Sequence, residues 1–276
     1  MPYLSLADGQ QVFYTEEGAG DAVLLIHGWC CDGSDWAWLA SDLSRDHRCV
    51  MPDNRGHGRS SPAGDGYTPR LFAADAARVI EMLDLGRPIV IGHSMGGLIA
   101  STLAVERPDL VRALILVDPG YGARDERSEP FVAAVRQAPR AAATAMFGRD
   151  DAAGPLPPAR MYGDNTPFWL PMWHRRRMLG LDEAVIRDAF IGQYDGEEGI
   201  ARRVIGEAYF RGRRAPTLAI YAGRSTAIAE WDRTLDHGPL DEITIWPEHG
   251  HFLHQEDPER FAGEVRQWLQ HLRAHA

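Results

Sequence analysis

"VIGHSMGGLIA", Val90–Ala100, passes from an apolar run through a serine flanked by glycines into a helix pattern. Its centre, Gly92-His93-Ser94-Met95-Gly96, is a G-x-S-x-G sequence set between a strand-like and a helix-like segment. A serine at the apex of so sharp a turn needs a strained backbone with positive φ to aim its hydroxyl away from the sheet. Glycine two residues before and two after removes the side chains that would collide there. The following helix directs its N-terminal dipole at the place where an oxyanion would form. Ser94 is therefore the candidate nucleophile; the bland alternative is an ordinary helix N-cap.

Outward from this stretch, the apolar runs "AVLLIHG", "RCVMPD", "PIVIGHS" and "RALILVD" are continuous rather than alternating. That pattern fits strands buried on both faces of a parallel sheet. Helix patterns lie between them, at Pro69–Leu85 and Gly97–Glu106, the second closed by Pro108. An N-terminal hairpin is predicted from Tyr3–Leu6 and Val12–Thr15 across an Asp8-Gly9 turn. The alternation breaks after Asp118 and resumes at "APTLAIYAG", "EITIWP" and a last helix at Pro258–Leu272. The expected fold class is α/β, a mostly parallel, doubly wound sheet. Residues 1–120 and 215–276 form its core, and 121–214, with the proline-rich turn "GPLPPAR", form an insertion over one end of the sheet.

A serine hydroxyl needs a base to take its proton. In "PEHGHFLHQEDPERF", past the last strand, His249, His251 and His254 compete for that role. His251, between Gly250 and Phe252 and before an acidic, proline-containing helix start, is the preferred base. The oxyanion needs two backbone N–H donors. Met95, after the serine, supplies one, and Trp29 in "LLIHGWCCDG" the other, its indole lining the pocket or simply filling the core. The cluster "PFWLPMWHRRRMLG" adds a candidate substrate wall of Phe168, Trp169, Met172, Trp173 and Met178. Packing of the insertion onto the core would account for the same residues. The arginines Arg175, Arg176 and Arg177 read as a solvated helix face.

Composition excludes several alternatives. All 29 basic residues are arginine, which removes Schiff-base lysines and P-loop lysines from consideration. A net charge of −10 argues against a nucleic-acid partner. Cys30, Cys31 and Cys49 lack metal-ligand or disulfide spacing and read as small buried hydrophobes in a reducing compartment. No signal peptide or membrane span is evident, so a cytoplasmic monomer or homodimer is expected, with no metal, no cofactor and no membrane partner.

The pieces "HGW" (His27–Trp29), "PDNRGHGRS" (Pro52–Ser60), "GHSMGG" and "GHF" (Gly250–Phe252) together resemble the α/β-hydrolase fold superfamily. The resemblance implies that 121–214 is a helical cap and that Asp53, Arg55, Gly56 and His57 build a structural turn. It also implies a third catalytic group, an acid that holds the imidazole. Most relatives carry an Asp shortly after the strand read here as "TLAIYAG", but this chain continues Gly223-Arg224-Ser225-Thr226 and has no carboxylate until Glu230 and Asp232. Some relatives, including certain haloalkane dehalogenases and the zearalenone lactonases, supply the acid from the end of the preceding core strand, where this chain has Asp118. Asp118 is the preferred acid, with Glu230 or Asp232 as alternatives. The resemblance implies a small-molecule ester or lactone substrate, bulky and apolar or aromatic. Other serine chemistries on this fold stay open: C–C bond hydrolysis, cofactor-free haloperoxidase or perhydrolase activity, and a non-catalytic ligand receptor.

Overall fold

The buried runs form the middle of an eight-stranded sheet in the order β1-β2-β4-β3-β5-β6-β7-β8. The computed structural model of the protein describes residues 2–6, 9–64, 66–148, 161–164, 166–197 and 199–275. Asp8 of the predicted turn and the "GPLPPAR" segment, 154–160, lie outside them. Strands β1 (Tyr3–Ser5), β2 (Gln11–Glu17) and β4 (His47–Pro52) pair antiparallel in succession. Strands β3 (Asp21–Ile26), β5 (Ile89–His93), β6 (Ala113–Val117), β7 (Thr217–Ala222) and β8 (Glu242–Trp246) continue the sheet with parallel pairing, β3 lying between β4 and β5.

Both faces of the central strands are covered, which is why their sequences do not alternate. Leu24, Ile26, Val90, Leu114 and Leu116 point to one side, where they pack with Phe72 and Ile80 of α2 (Pro69–Met82) and Leu98 of α3 (Met95–Glu106). Val23, Leu25, Ile91 and Ile115 point to the other, against Leu39 and Leu43 of α1 (Ala37–Leu43) and Val265, Trp268 and Leu272 of α11 (Pro258–Ala274). Helix α3 begins two residues before the predicted Gly97, directly behind Ser94, and α2 ends at Met82, with Asp84 in the left-handed region at φ +50°.

Between β6 and β7 the described residues form five helices: α4 (Asp125–Gln137), α5 (Pro139–Met146), α6 (Trp169–Leu179), α7 (Glu183–Ile191) and α8 (Arg203–Phe210). Helices α4, α5 and α7 pack on one another. Two short helices complete the chain, α9 (Thr226–Asp232) after β7 and α10 (Leu253–Glu256) after β8. All three cysteines are free and buried, and burial pushes the Cys30 and Cys31 thiols well above their ordinary pKa. No helix among the described residues is long and apolar enough to cross a membrane.

The turn after β4 is held by its own polar groups. Asp53 accepts the Gly33 N–H at 2.7 Å and the Arg59 N–H at 2.8 Å. Arg55 grips Asp75 with two bonds of 2.6 and 2.7 Å, and His57 is fully buried.

Candidate active site

Parallel register brings the ends of β5, β6 and β7 together: His93 lies opposite Val117, and Val117 opposite Ile220. Ser94 and Asp118 thus leave adjacent strands side by side, at the carboxyl edge where open α/β sheets place their sites. Both turn with positive φ, +53° at Ser94 and +39° at Asp118. The Ser94 N–H donates to Val117 O at 3.0 Å, and its carbonyl accepts the Gly120 N–H at 2.8 Å. The flanking glycines are sterically required. A Cβ on Gly92 would lie 2.2 Å from Gly96 O, and one on Gly96 would lie 2.1 Å from Ile26 O.

Asp118 is buried and meets His251 side chain to side chain, with His251 Nδ1 2.5 Å from Asp118 Oδ2. The other carboxylate oxygen accepts the Ala222 N–H at 3.0 Å. Burial alone would raise the Asp118 pKa. The hydrogen bond and charge of His251, helped by Arg224 and Ser225, outweigh it and hold the carboxyl below its ordinary range. Ser225, just after β7, thus serves the carboxylate of the neighbouring strand. His251 is held by its backbone as well. Its N–H donates to Met161 O at 2.8 Å, and its carbonyl accepts from His93 Nε2 at 2.9 Å. Glu256 fixes the loop by accepting the Gly250 N–H at 2.7 Å and the Gly163 N–H at 3.0 Å.

Glu230 and Asp232 are not brought to His251. Glu230 is exposed and pairs with Arg233 at 2.5 Å. Asp232 is fully buried, but Tyr221 donates to it at 2.6 Å, Tyr121 at 3.3 Å and Arg213 at 3.2 Å. Helix α9 carries both residues away from the strand end, so neither fills the place that the spacing alone left open to them.

Met95 opens α3 and Trp29 follows Gly28, whose Cβ position lies 3.3 Å from Ser94 Cβ. Neither backbone N–H donates to an acceptor among the described residues. The Trp29 indole does not form an open wall. It is 5% exposed, donates to Ile186 O of α7 at 2.9 Å, and packs within 4.8–6.3 Å of Phe131, Phe147 and Phe190.

The expected wall on α6 is split by the helix period. Leu170, His174 and Met178 repeat every four residues on the buried side. Phe168 and Met172 point outward, at 75% and 62% exposure. Trp169 and Trp173 turn to Trp38 of α1, with ring centres 5.4 and 5.5 Å away. What α6 brings close to the site is His174, 3.9 Å from the ring of Phe252. Arg177 is likewise no solvated arginine: it pairs with the buried Asp35 and, at 3.1 Å, with Asp32.

Sequence reasoning passed over His93 as a variable position of its motif, although its spacing next to Ser94 placed it at the elbow. It passed over Phe131, Phe147 and Phe190 because their helices show no signal linking them to Trp29.

A family model described as alpha/beta hydrolase fold matches residues 21–244. A non-heme chloroperoxidase of Burkholderia pyrrocinia is 41% identical over 100 residues, 35% of this chain and 36% of that protein. A bifunctional esterase/perhydrolase of Acinetobacter calcoaceticus is 38% identical over 100 residues, again 35% and 36%. Each match therefore spans only about a third of the relative's length. The structure of a thermophilic esterase from Thermogutta terrifontis superposes with a TM-score of 0.77 over 98% of both chains at 23% identity, a likeness of fold. The family match, the strand order and the turn that carries Ser94 agree: this chain is a member of the alpha/beta hydrolase fold family.

Proposed function

We propose that the protein is a cofactor-independent serine hydrolase that cleaves a carboxylic ester or lactone through an acyl-enzyme, with residues 121–214 as its cap. The observation that carries this reading is the bond between His251 Nδ1 and the buried Asp118 carboxylate beside a Ser94 of positive φ. With Nδ1 engaged, the ring's Nε2 is left to take a proton.

Ser94 Oγ attacks the substrate carbonyl carbon while His251 Nε2 accepts its proton. The carbonyl π electrons move to oxygen, and the backbone N–H groups of Met95 and Trp29 hold the resulting oxyanion. Asp118 stabilises the imidazolium without itself taking the proton. Collapse breaks the bond to the leaving oxygen, which takes the proton from His251. Water, deprotonated by the same ring, then attacks the acyl-enzyme and releases the acid. The Trp29 indole, tied to α7 through Ile186, supports a cap role by joining the oxyanion loop to the helices above it.

Perhydrolysis is a second reading, supported by the resemblance to the chloroperoxidase and the bifunctional esterase/perhydrolase. Hydrogen peroxide would replace water as acyl acceptor and yield a peracid. One experiment tests both readings. The wild type and Ser94→Ala are given p-nitrophenyl butyrate and an aromatic lactone, and then acetate with hydrogen peroxide. Intact mass is read after a fluorophosphonate. Turnover and a single phosphonyl adduct in the wild type, both absent in Ser94→Ala, are expected. An unmodified, inactive wild type would contradict the proposal.

A further inference from the structure

Arg224 immediately follows Gly223 at the end of β7, two residues after the Ala222 N–H that binds Asp118. It is exposed, and no carboxylate pairs with it among the described residues. Among the described residues the one acceptor it engages is the thioether of Met161, Nη1 to Sδ at 2.7 Å. Thioether sulfur is a weak acceptor, and a guanidinium carries five N–H donors, so most of its hydrogen-bonding capacity is unused. By contrast, Arg55, Arg177 and Arg213 all face carboxylates.

Its position is at the site. Met161, which it touches through the side chain, accepts the His251 N–H through its carbonyl. The Trp29 ring packs on Phe190, and Phe190 on Tyr194 at 5.0 Å. The charge of Arg224 acts on both Tyr194 and Asp118. Trp29, Phe190 and Tyr194 thus form one packed row, and Arg224 connects through Met161 to the backbone of His251. In these contacts Arg224 supplies a fixed positive charge.

We propose that Arg224 is the anion anchor of this site and that the substrate is an ester or lactone carrying a carboxylate several bonds from the scissile carbonyl. This rests on the hydrolase reading for its reaction, though not for its binding. A planar guanidinium with free donors matches a carboxylate with two parallel bonds, which fixes both position and orientation. Arg224 and Ser225 then have two separate uses: Ser225 supports Asp118, and Arg224 selects the substrate.

The test compares ethyl pentanoate with monoethyl adipate, the same ester extended by a carboxylate, using a pH-stat. Wild type is expected to favour the anionic ester in kcat/KM. Arg224→Gln is expected to lower that preference about tenfold or more, chiefly through KM, and Arg224→Lys to keep part of it. Binding of monoethyl adipate to Ser94→Ala, read by calorimetry, is expected to weaken by the same factor in Ser94→Ala/Arg224→Gln. A preference and a binding constant that do not move in the glutamine variants overturn the anchor. If wild type cleaves neither ester but Ser94→Ala still binds the anion through Arg224, the anchor stands and the hydrolase reading falls.

Discussion

Asp118 and His251 lie 133 residues apart in the chain and meet at 2.5 Å through Oδ2 and Nδ1. Two features bring them together. The register of β6 with β5 and β7 delivers Asp118 beside Ser94, and the backbone bonds to Met161 and His93 fix the His251 loop above. The His93 bond makes the Ser94 turn itself a support for His251, since the residue before the serine holds the His251 carbonyl.

The elbow stores strain. Ser94 at φ +53°, ψ −118° occupies a region that glycine tolerates far better than serine. Ser94→Gly is expected to be more stable than Ser94→Ala by about 1 kcal/mol, or roughly 2 °C in Tm, while both are inactive. Paired thermal melts check this. A glycine variant melting at or below the alanine variant would show that the turn is unstrained.

Asp232 is structural in this account. Asp232→Asn leaves the buried Arg213 without its counter-charge, at a cost of about 3 kcal/mol. The expected result in urea titration is a lower unfolding midpoint with turnover per folded molecule retained. A variant of normal stability and no activity would return Asp232 to the list of acids.

Arg177 ties α6 to the core through Asp35, and Asp35 also accepts from Gln255 Nε2 at 3.1 Å, which in turn reaches His174 at 2.8 Å. Arg177→Ala strands a buried carboxylate, and α6 is expected to exchange its amide hydrogens at least tenfold faster while β5 and β6 are unaffected. Unchanged protection of α6 would mean that its apolar face alone holds it.

Several histidines are buried neutral. Burial lowers the pKa of His57 and of His254 to about 3, that of His174 to about 4, and that of His93 well below its ordinary value. Above about pH 6.5 these rings are neutral in both folded and unfolded chains and contribute nothing. Below it the unfolded chain takes up protons that the folded chain refuses, so stability falls as pH drops from about 6.5 towards 4. Each ring costs up to about 1.4 kcal/mol per pH unit in that window. His254, whose two ring nitrogens have no partner among the described residues, offers a clean test. His254→Phe is expected to flatten the dependence seen in urea titrations at pH 7.5, 6.5 and 5.5. Stability that rises on acidification would contradict the assignment.

Much of this was legible in the chain. The strands announced themselves because burial on both faces leaves uninterrupted Val, Ile and Leu, and Ser94 because only glycine fits two residues to either side of a serine so placed. The partner of His251 was harder: Asp118 and Asp232 both follow core strands, and only the pairing register and the course of α9 separate them. For the aromatic cluster of α6 the sequence left packing and a substrate wall both open, and the structure shows packing for part of it: Trp169 and Trp173 face Trp38, and Met178 turns inward with Leu170 and His174. The Asp35–Arg177 pair joins residues 142 positions apart, a contact with no local trace in either segment.

The most direct test of the proposed site is turnover of p-nitrophenyl butyrate by Asp118→Asn, measured beside Asp232→Asn. Replacing the carboxylate leaves an amide that fits the space but cannot hold the imidazolium, and kcat is expected to fall by about 10³-fold or more. Asp232→Asn should stay within about threefold of wild type per folded molecule, as expected of a residue outside the reacting groups. An Asp118→Asn enzyme within about tenfold of wild type would contradict the account, because His251 would then take its orientation from some other group.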